Sequence, residues 1–204
     1  MSKKKLVLIL MSLAIGAVLA GSYLYHQREE LPSQGGNDSA SVPIGGPFTL
    51  MNSKGMQLNS EALKGKYALI YFGYSFCPDI CPTALEGMTE ALKLLGQEAQ
   101  KVQPVFITVD PKRDTVSHLE RYMENFHPSF IALTGSEVEI EKTLKAYRVY
   151  AVPVYQKGAT EYMMDHSSII YLMGPEGQFI MHFDHQTPGH EMAFKIREVL
   201  KQGT

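Results

Sequence analysis

Cys77 and Cys81 are the only two cysteines in 204 residues, and they stand four apart in YFGYSFCPDICPTAL. Thiols at this spacing can close a disulfide, exchange one with another protein, or grip a soft metal as thiolates. A purely structural disulfide is a weak use for them. Closing so short a loop removes little chain entropy, and a domain of this size does not need the link. The C-x-x-x-C spacing by itself leaves dithiol exchange and metal binding equally open. Asp79, inside the loop, reads either as a helix cap or as negative charge beside a cationic metal.

The elements around the cysteines restrict where they can sit. Residues 67–72, YALIYF, form an apolar run of strand length, expected to be covered on both faces. A helix is expected to about residue 95, starting near Pro82, because proline suits the first helical position. The residue before a proline is biased away from the α region, so Cys77 to Cys81 is expected as a tight turn. The turn still keeps both sulfurs at a helix N-terminus, where thiolate is favoured.

Further along, residues 48–51 and 56–58 flank the turn NSKG as a hairpin, and residues 60–65 read as a capped helical turn. Residues 104–109 form a second buried strand, followed by a helix over 116–125 that Asp114-Thr115 can cap. A short strand at 130–133 precedes a helix from 136 to 146, opened by a capping box, Ser136 to Glu139. Two hairpins follow, 149–155 with 159–164 and 168–173 with 178–183, and a helix over 189–201 closes the chain. Strands alternating with helices, ending in a hairpin and a helix, describe an α/β, thioredoxin-like fold with an N-terminal β-hairpin.

In that fold the loop before the strand at 169–172 faces the thiols. A thiol oxidoreductase usually places a cis-proline there, whereas this chain offers His166, in Asp165-His166-Ser167. Taken alone, His166 reads equally well as a hydrogen-bonded loop histidine. Together with two thiolates it makes a soft three-donor set suited to Cu(I) and able to accept Cu(II) with rearrangement. Zinc would want a fourth ligand, from Asp165 or water. Asp110 ends a central strand and is expected at the thiol edge of the sheet, either orienting the site from behind the ligands or forming a turn before Pro111. Met163 and Met164 read as core filling, His182, His185 and His190 as solvated surface, and His118 and His127 as structural. A peroxidase would want an arginine near its thiol, and Arg113 is the only candidate.

The N-terminus predicts export. Three lysines occupy residues 1–5, a basic cytoplasmic tip, and residues 6–25 carry no charge. Twenty helical residues span roughly 30 Å, the thickness of a bilayer core. The lysines orient such an anchor with its N-terminus in the cytoplasm. A cleaved leader is the alternative, with Val18-Leu19-Ala20 as the small-residue site. Residues 26–47, rich in Ser, Gly and Pro, read as a flexible linker to a domain over 48–204. The expected location is a bacterial inner membrane, single-pass, with the domain in the periplasm. A formal net charge of −2, with 20% charged residues, argues against nucleic acid as a partner.

The segments FCPDICP, VDPKRDT and DHSSIIYLMGPEGQF resemble the Sco/SenC proteins, membrane-anchored copper chaperones for assembly of cytochrome c oxidase. The resemblance covers the anchor and the domain from about Phe48 to Leu200. It implies one copper ion per chain, Cu(I) or Cu(II), bound by Cys77, Cys81 and His166. It also implies the copper-bearing oxidase subunit as recipient, and an upstream copper donor or thiol reductant as a second partner. Such a role is binding and transfer rather than catalysis. The alternative is a thiol-disulfide oxidoreductase that reduces the recipient's cysteines, with Cys77 attacking and Cys81 resolving.

Overall fold

In the computed structural model the apolar run before the cysteines is strand β3, Tyr67–Gly73, buried at every position after Tyr67. Side chains of such a strand meet protein on both faces, which is why its sequence does not alternate. It lies within a seven-stranded sheet with β1 Thr49–Asn52, β2 Gln57–Asn59, β4 Val102–Thr108, β5 Ile131–Thr134, β8 Ile169–Met173 and β9 Phe179–Asp184. The order across the sheet is β2-β1-β5-β4-β3-β8-β9. Strands β3, β4 and β5 run parallel, while β8, β9 and the β1–β2 hairpin pair antiparallel. This is the thioredoxin-like α/β architecture, with the N-terminal hairpin on one edge.

Four α-helices complete the domain: α1 Ile80–Leu95, α2 Val116–Met123, α3 Glu137–Tyr147 and α4 Gly189–Gln202. Helix α1 buries Cys81, Ala84, Leu85, Met88, Ala91, Leu92 and Leu95, a stripe at helical period, and packs against α4. Helix α3 opens with the Ser136–Glu139 capping box, and the Thr115 hydroxyl accepts the His118 N–H to cap α2.

Three local expectations change. Helix α1 begins at Ile80, so Cys81 and Pro82 are its second and third residues rather than the end of a turn. First-turn N–H groups have no intrahelical partner, so Pro82 forfeits no bond there and the bias before proline is overridden. His166 is the last residue of a strand and not part of a loop. Strand β7, Met163–His166, pairs with β6, Ala151–Val154, in a separate two-stranded sheet, with His166 opposite Ala151. Asp114 does not cap α2; its carboxylate turns into the core.

The structure describes residues 43–158 and 160–203, with Leu19 and Ser22. Both of these are helical, and the Ser22 hydroxyl donates to the Leu19 carbonyl at 3.1 Å. The expected basic tip, the rest of the expected anchor, and residues 26–42 of the expected linker lie outside the described residues. Among the described residues no helix is long and apolar enough to cross a membrane.

Candidate metal centre

Sheet topology brings three distant segments to one edge. Because β3 and β4 are parallel, the loops that leave them, 74–79 and 109–115, are neighbours, stitched by Val109 N–H to the Gly73 carbonyl at 2.8 Å. Because β8 is antiparallel to β3, its first residues, just after His166, return to that same edge.

At this edge Cys81 is fully buried and Cys77 half-buried, and both are free thiols. The Sγ of Cys81 lies 3.5 Å from Nε2 of His166 across 85 residues of chain. Nδ1 of His166 meets the Ser167 carbonyl at 3.2 Å. A carbonyl can only accept, so Nδ1 carries a proton and Nε2 is left facing the sulfur. In the neutral ring that is the tautomer whose lone pair can bind a metal. The rings of Tyr74 and Tyr71 stand edge-on to the imidazole at 5.7 and 6.3 Å between centroids. The Tyr71 hydroxyl donates to Cys81 Sγ at 3.6 Å.

The two sulfurs divide their chemistry. The Cys81 thiol donates to Cys77, and this, against the opposing effect of burial, holds the Cys77 thiol down at about 3. The backbone N–H groups of Asp79 and Cys81 add to the effect. Cys77 is therefore a thiolate at neutral pH. Cys81 is pushed far up by the same contact and by burial, so it keeps its proton. Burial, then the neighbouring sulfurs, also raise Tyr71 well above the ordinary phenol range, which keeps its hydroxyl a donor.

Cys77 also replaces the cap expected of Asp79. Asp79 occupies the N-cap position of α1, but its side chain makes no capping hydrogen bond. Its carbonyl accepts from Thr83 N–H at 3.1 Å and from the Thr83 hydroxyl at 2.9 Å. The orphan N–H of Cys81 goes to Cys77 Sγ at 3.4 Å. A thiolate at a helix N-terminus is favoured by the dipole. Gly73 makes the space: a Cβ there would stand 3.1 Å from Cys81 Sγ and 2.8 Å from the Tyr71 ring.

Among the described residues, no three or more His, Cys, Asp or Glu side chains stand as a ready-made metal cage. Instead, Cys81 Sγ approaches His166 Nε2 at 3.5 Å and Cys77 Sγ accepts the Cys81 N–H at 3.4 Å. Their donor types, two sulfurs and an imidazole with one proton shared between the sulfurs, suit a soft cation that displaces that proton.

Other candidates make contacts of their own. Asp110 is buried at the same sheet edge, but its carboxylate accepts from Tyr162 OH at 2.8 Å and Arg113 Nε at 2.5 Å. Arg113, the arginine a peroxidase would use, is thereby committed to Asp110 and not to a sulfur. Asp165 is exposed, and the His166 ring is held by Ser167 in its place. The Met163 sulfur accepts from Tyr74 OH at 4.0 Å. His182 stacks on Phe179, and His185 pairs with Asp184 at 3.3 Å, both at the β9 side of the sheet. His127 bonds the Ser129 hydroxyl at 2.7 Å.

Sequence reasoning missed four supporting residues. Tyr71 and Tyr74 flank the histidine. Asp114 accepts from Ser75 N–H at 3.1 Å, from Thr108 OH at 2.6 Å, and from the Ser75 hydroxyl, tying the thiol loop to β4. His118, read from the sequence as structural, stacks on Phe76, next to Cys77, at 4.8 Å. The spacing Asp110, Arg113, Asp114 in VDPKRDT was the available signal for a side-chain cluster after β4.

The chain is similar to known proteins. The SCO1/SenC family profile matches residues 36–201. An SCO2-like protein of Rickettsia conorii is 39% identical over 195 residues, 95% of each chain. The copper-bound structure of ScoI from Bradyrhizobium japonicum is 41% identical, with a TM-score of 0.71, over 76% of this chain and 98% of that one. BsSco, described as having a disulfide switch and as a member of the Sco family of cytochrome c oxidase assembly proteins, is 27% identical, with a TM-score of 0.60, over 76% of this chain and 93% of that one. The chain belongs to the SCO1/SenC family.

Proposed function

We propose that this protein takes up one copper ion through Cys77, Cys81 and His166 and passes it to the copper centre of cytochrome c oxidase during assembly. The observation that carries this reading is the 3.5 Å approach of His166 Nε2 to Cys81 Sγ, beside the Cys77 thiolate. Sulfur and nitrogen ligands of one tetrahedral ion, with bonds of about 2.3 and 2.0 Å, stand roughly 3.5 Å apart. The copper held by the Bradyrhizobium relative and the oxidase-assembly role stated for BsSco support the same reading. Two thiolates and an imidazole favour Cu(I). Residues 6–25 act as the membrane anchor, residues 26–47 give the domain reach, and the site faces the periplasm, where a copper donor or thiol reductant loads it.

Thiol-disulfide exchange is the second reading. The half-exposed Cys77 thiolate beside a protonated Cys81 has the form of an attacking and a resolving thiol. The disulfide switch described for BsSco is consistent with it.

Copper content separates the two. The reduced full-length chain is loaded with Cu(I) without oxygen and desalted, beside Cys77→Ala and His166→Ala. One copper per chain, lost in both variants, supports the chaperone. Retention indifferent to His166, with disulfide reduction that survives its loss, supports the oxidoreductase.

A further inference from the structure

The side chain of Arg113 lies between the two arms of the site. Its guanidinium carbon sits 3.8 Å from the centroid of the Tyr162 ring, 4.9 Å from that of Phe76 and 5.7 Å from that of Tyr74. Its Nη1 donates to the Tyr162 carbonyl at 2.9 Å, and its Nε pairs with Asp110. Asp110 in turn accepts from Tyr162 OH. The arginine is 14% exposed, and its Nη2 is buried with no hydrogen-bond partner. An aromatic-faced guanidinium gains cation–π attraction from the rings around it.

Each of the three rings belongs to an arm that carries a candidate ligand, while Asp110 anchors the arginine from the loop after β4. Phe76 immediately precedes Cys77. Tyr74 packs on His166 and hydrogen-bonds Met163 of β7. Tyr162 leads directly into β7, which ends at His166. The two-stranded β6–β7 sheet stands apart from the main sheet, so side-chain contacts of this kind hold the histidine arm against the thiol loop.

We propose that Arg113 is a positioning residue of the copper site: it clasps the β7 arm to the thiol loop and so sets the distance between His166 and Cys81. The role rests on the copper-binding reading above. A lysine cannot replace it, because a point charge lacks the planar fork that serves Asp110, the Tyr162 carbonyl and the ring faces at once.

The test is a double-mutant cycle on the full-length chain, with Cu(I) affinity measured by chelator competition. Arg113→Lys and Arg113→Met are expected to lower affinity by about 10- to 100-fold, the range for residues that orient metal ligands. In the His166→Ala background the same changes are expected to have less than about a twofold effect, since the group they position is gone. Equal losses in both backgrounds would overturn the proposal in favour of general destabilisation. Tyr162→Leu, which leaves the Arg113–Asp110 pair in place, gives a second variant should the arginine changes unfold the chain; it is expected to show the same dependence on His166.

A copper-free readout accompanies these. The Nε2 nitrogen resonance of His166 in the metal-free Arg113→Lys and Tyr162→Leu proteins is expected to move toward its position in Cys81→Ala. An unchanged resonance overturns the proposal. Absence of copper from the wild type would sink the copper reading alone, and the resonance comparison would still decide whether Arg113 positions the histidine.

Discussion

Cys77 Sγ accepts the backbone N–H of Cys81, 3.4 Å away, and so caps the first turn of the helix that begins at Ile80. One sulfur therefore ends a helix as a thiolate, while the other, four residues on, is sealed beneath it as a thiol. This asymmetry leaves a single accessible nucleophile at the rim of the site.

Alkylation should report it. Cys77, held at about 3, is expected to react with iodoacetamide at a rate nearly independent of pH from 8 to 5, giving one adduct by mass spectrometry. An ordinary thiol near 8.5 would slow about tenfold per unit over that range, and such slowing would contradict the assignment. The sign for stability follows from the lowered value. The contribution of Cys77 is fully present above its unfolded value of about 8.5 and is lost as pH falls toward 3.

Oxidation should close the site. Converting Cys77 and Cys81 to a disulfide removes both thiolates that a soft metal needs. The oxidised full-length chain is expected to retain no Cu(I) after desalting, and reduction with a metal-free phosphine should restore uptake. Undiminished uptake by the oxidised chain would argue that the metal binds elsewhere.

Gly73→Ala should disturb the site from below. The added methyl would meet the Tyr71 ring at 2.8 Å, and Cys81 Sγ and Phe106 at 3.1 Å. Overpacking of this kind costs about 1–3 kcal/mol, readable as a lowered urea midpoint. A neutral result would mean that Tyr71 and Cys81 move aside freely.

Asp114 offers a separate pH test. Burial raises its carboxyl above the usual carboxylate range, against hydrogen bonds from Ser75 and Thr108 that lower it. A group raised on folding contributes stability that is fully present below its unfolded value, about 3.9, and is lost as pH rises through the folded value. Wild type should therefore lose stability relative to Asp114→Asn as pH rises from about 4. Urea midpoints of the two proteins that stay parallel across that range would contradict the assignment.

Much of the fold was legible locally. The run YALIYF announced a strand buried on both faces, NSKG marked one hairpin and the runs 168–173 and 178–183 another, and Ser136 with Glu139 formed the capping box their spacing implies. The start of α1 was not legible. The bias before proline pointed to Pro82, but a first turn needs no N–H from proline, and the Cys77 sulfur satisfied Cys81. Asp79 looked like the cap because aspartate commonly is one; which group reaches the orphan N–H depends on the path of the loop, and composition does not reveal that path.

By itself the sequence determined the chemical types available: two thiols at the end of a buried strand, an imidazole before a later strand, and a charged cluster in VDPKRDT. Periodicity and turn chemistry are local, so one segment suffices to read them. Only the tertiary structure decided that His166 comes within 3.5 Å of Cys81. It alone set β7 apart in its own two-stranded sheet and left Arg113 between β7 and the thiol loop. Those relationships depend on sheet register and on side chains packed across segments far apart in the chain, where each contact exists only once the others have formed.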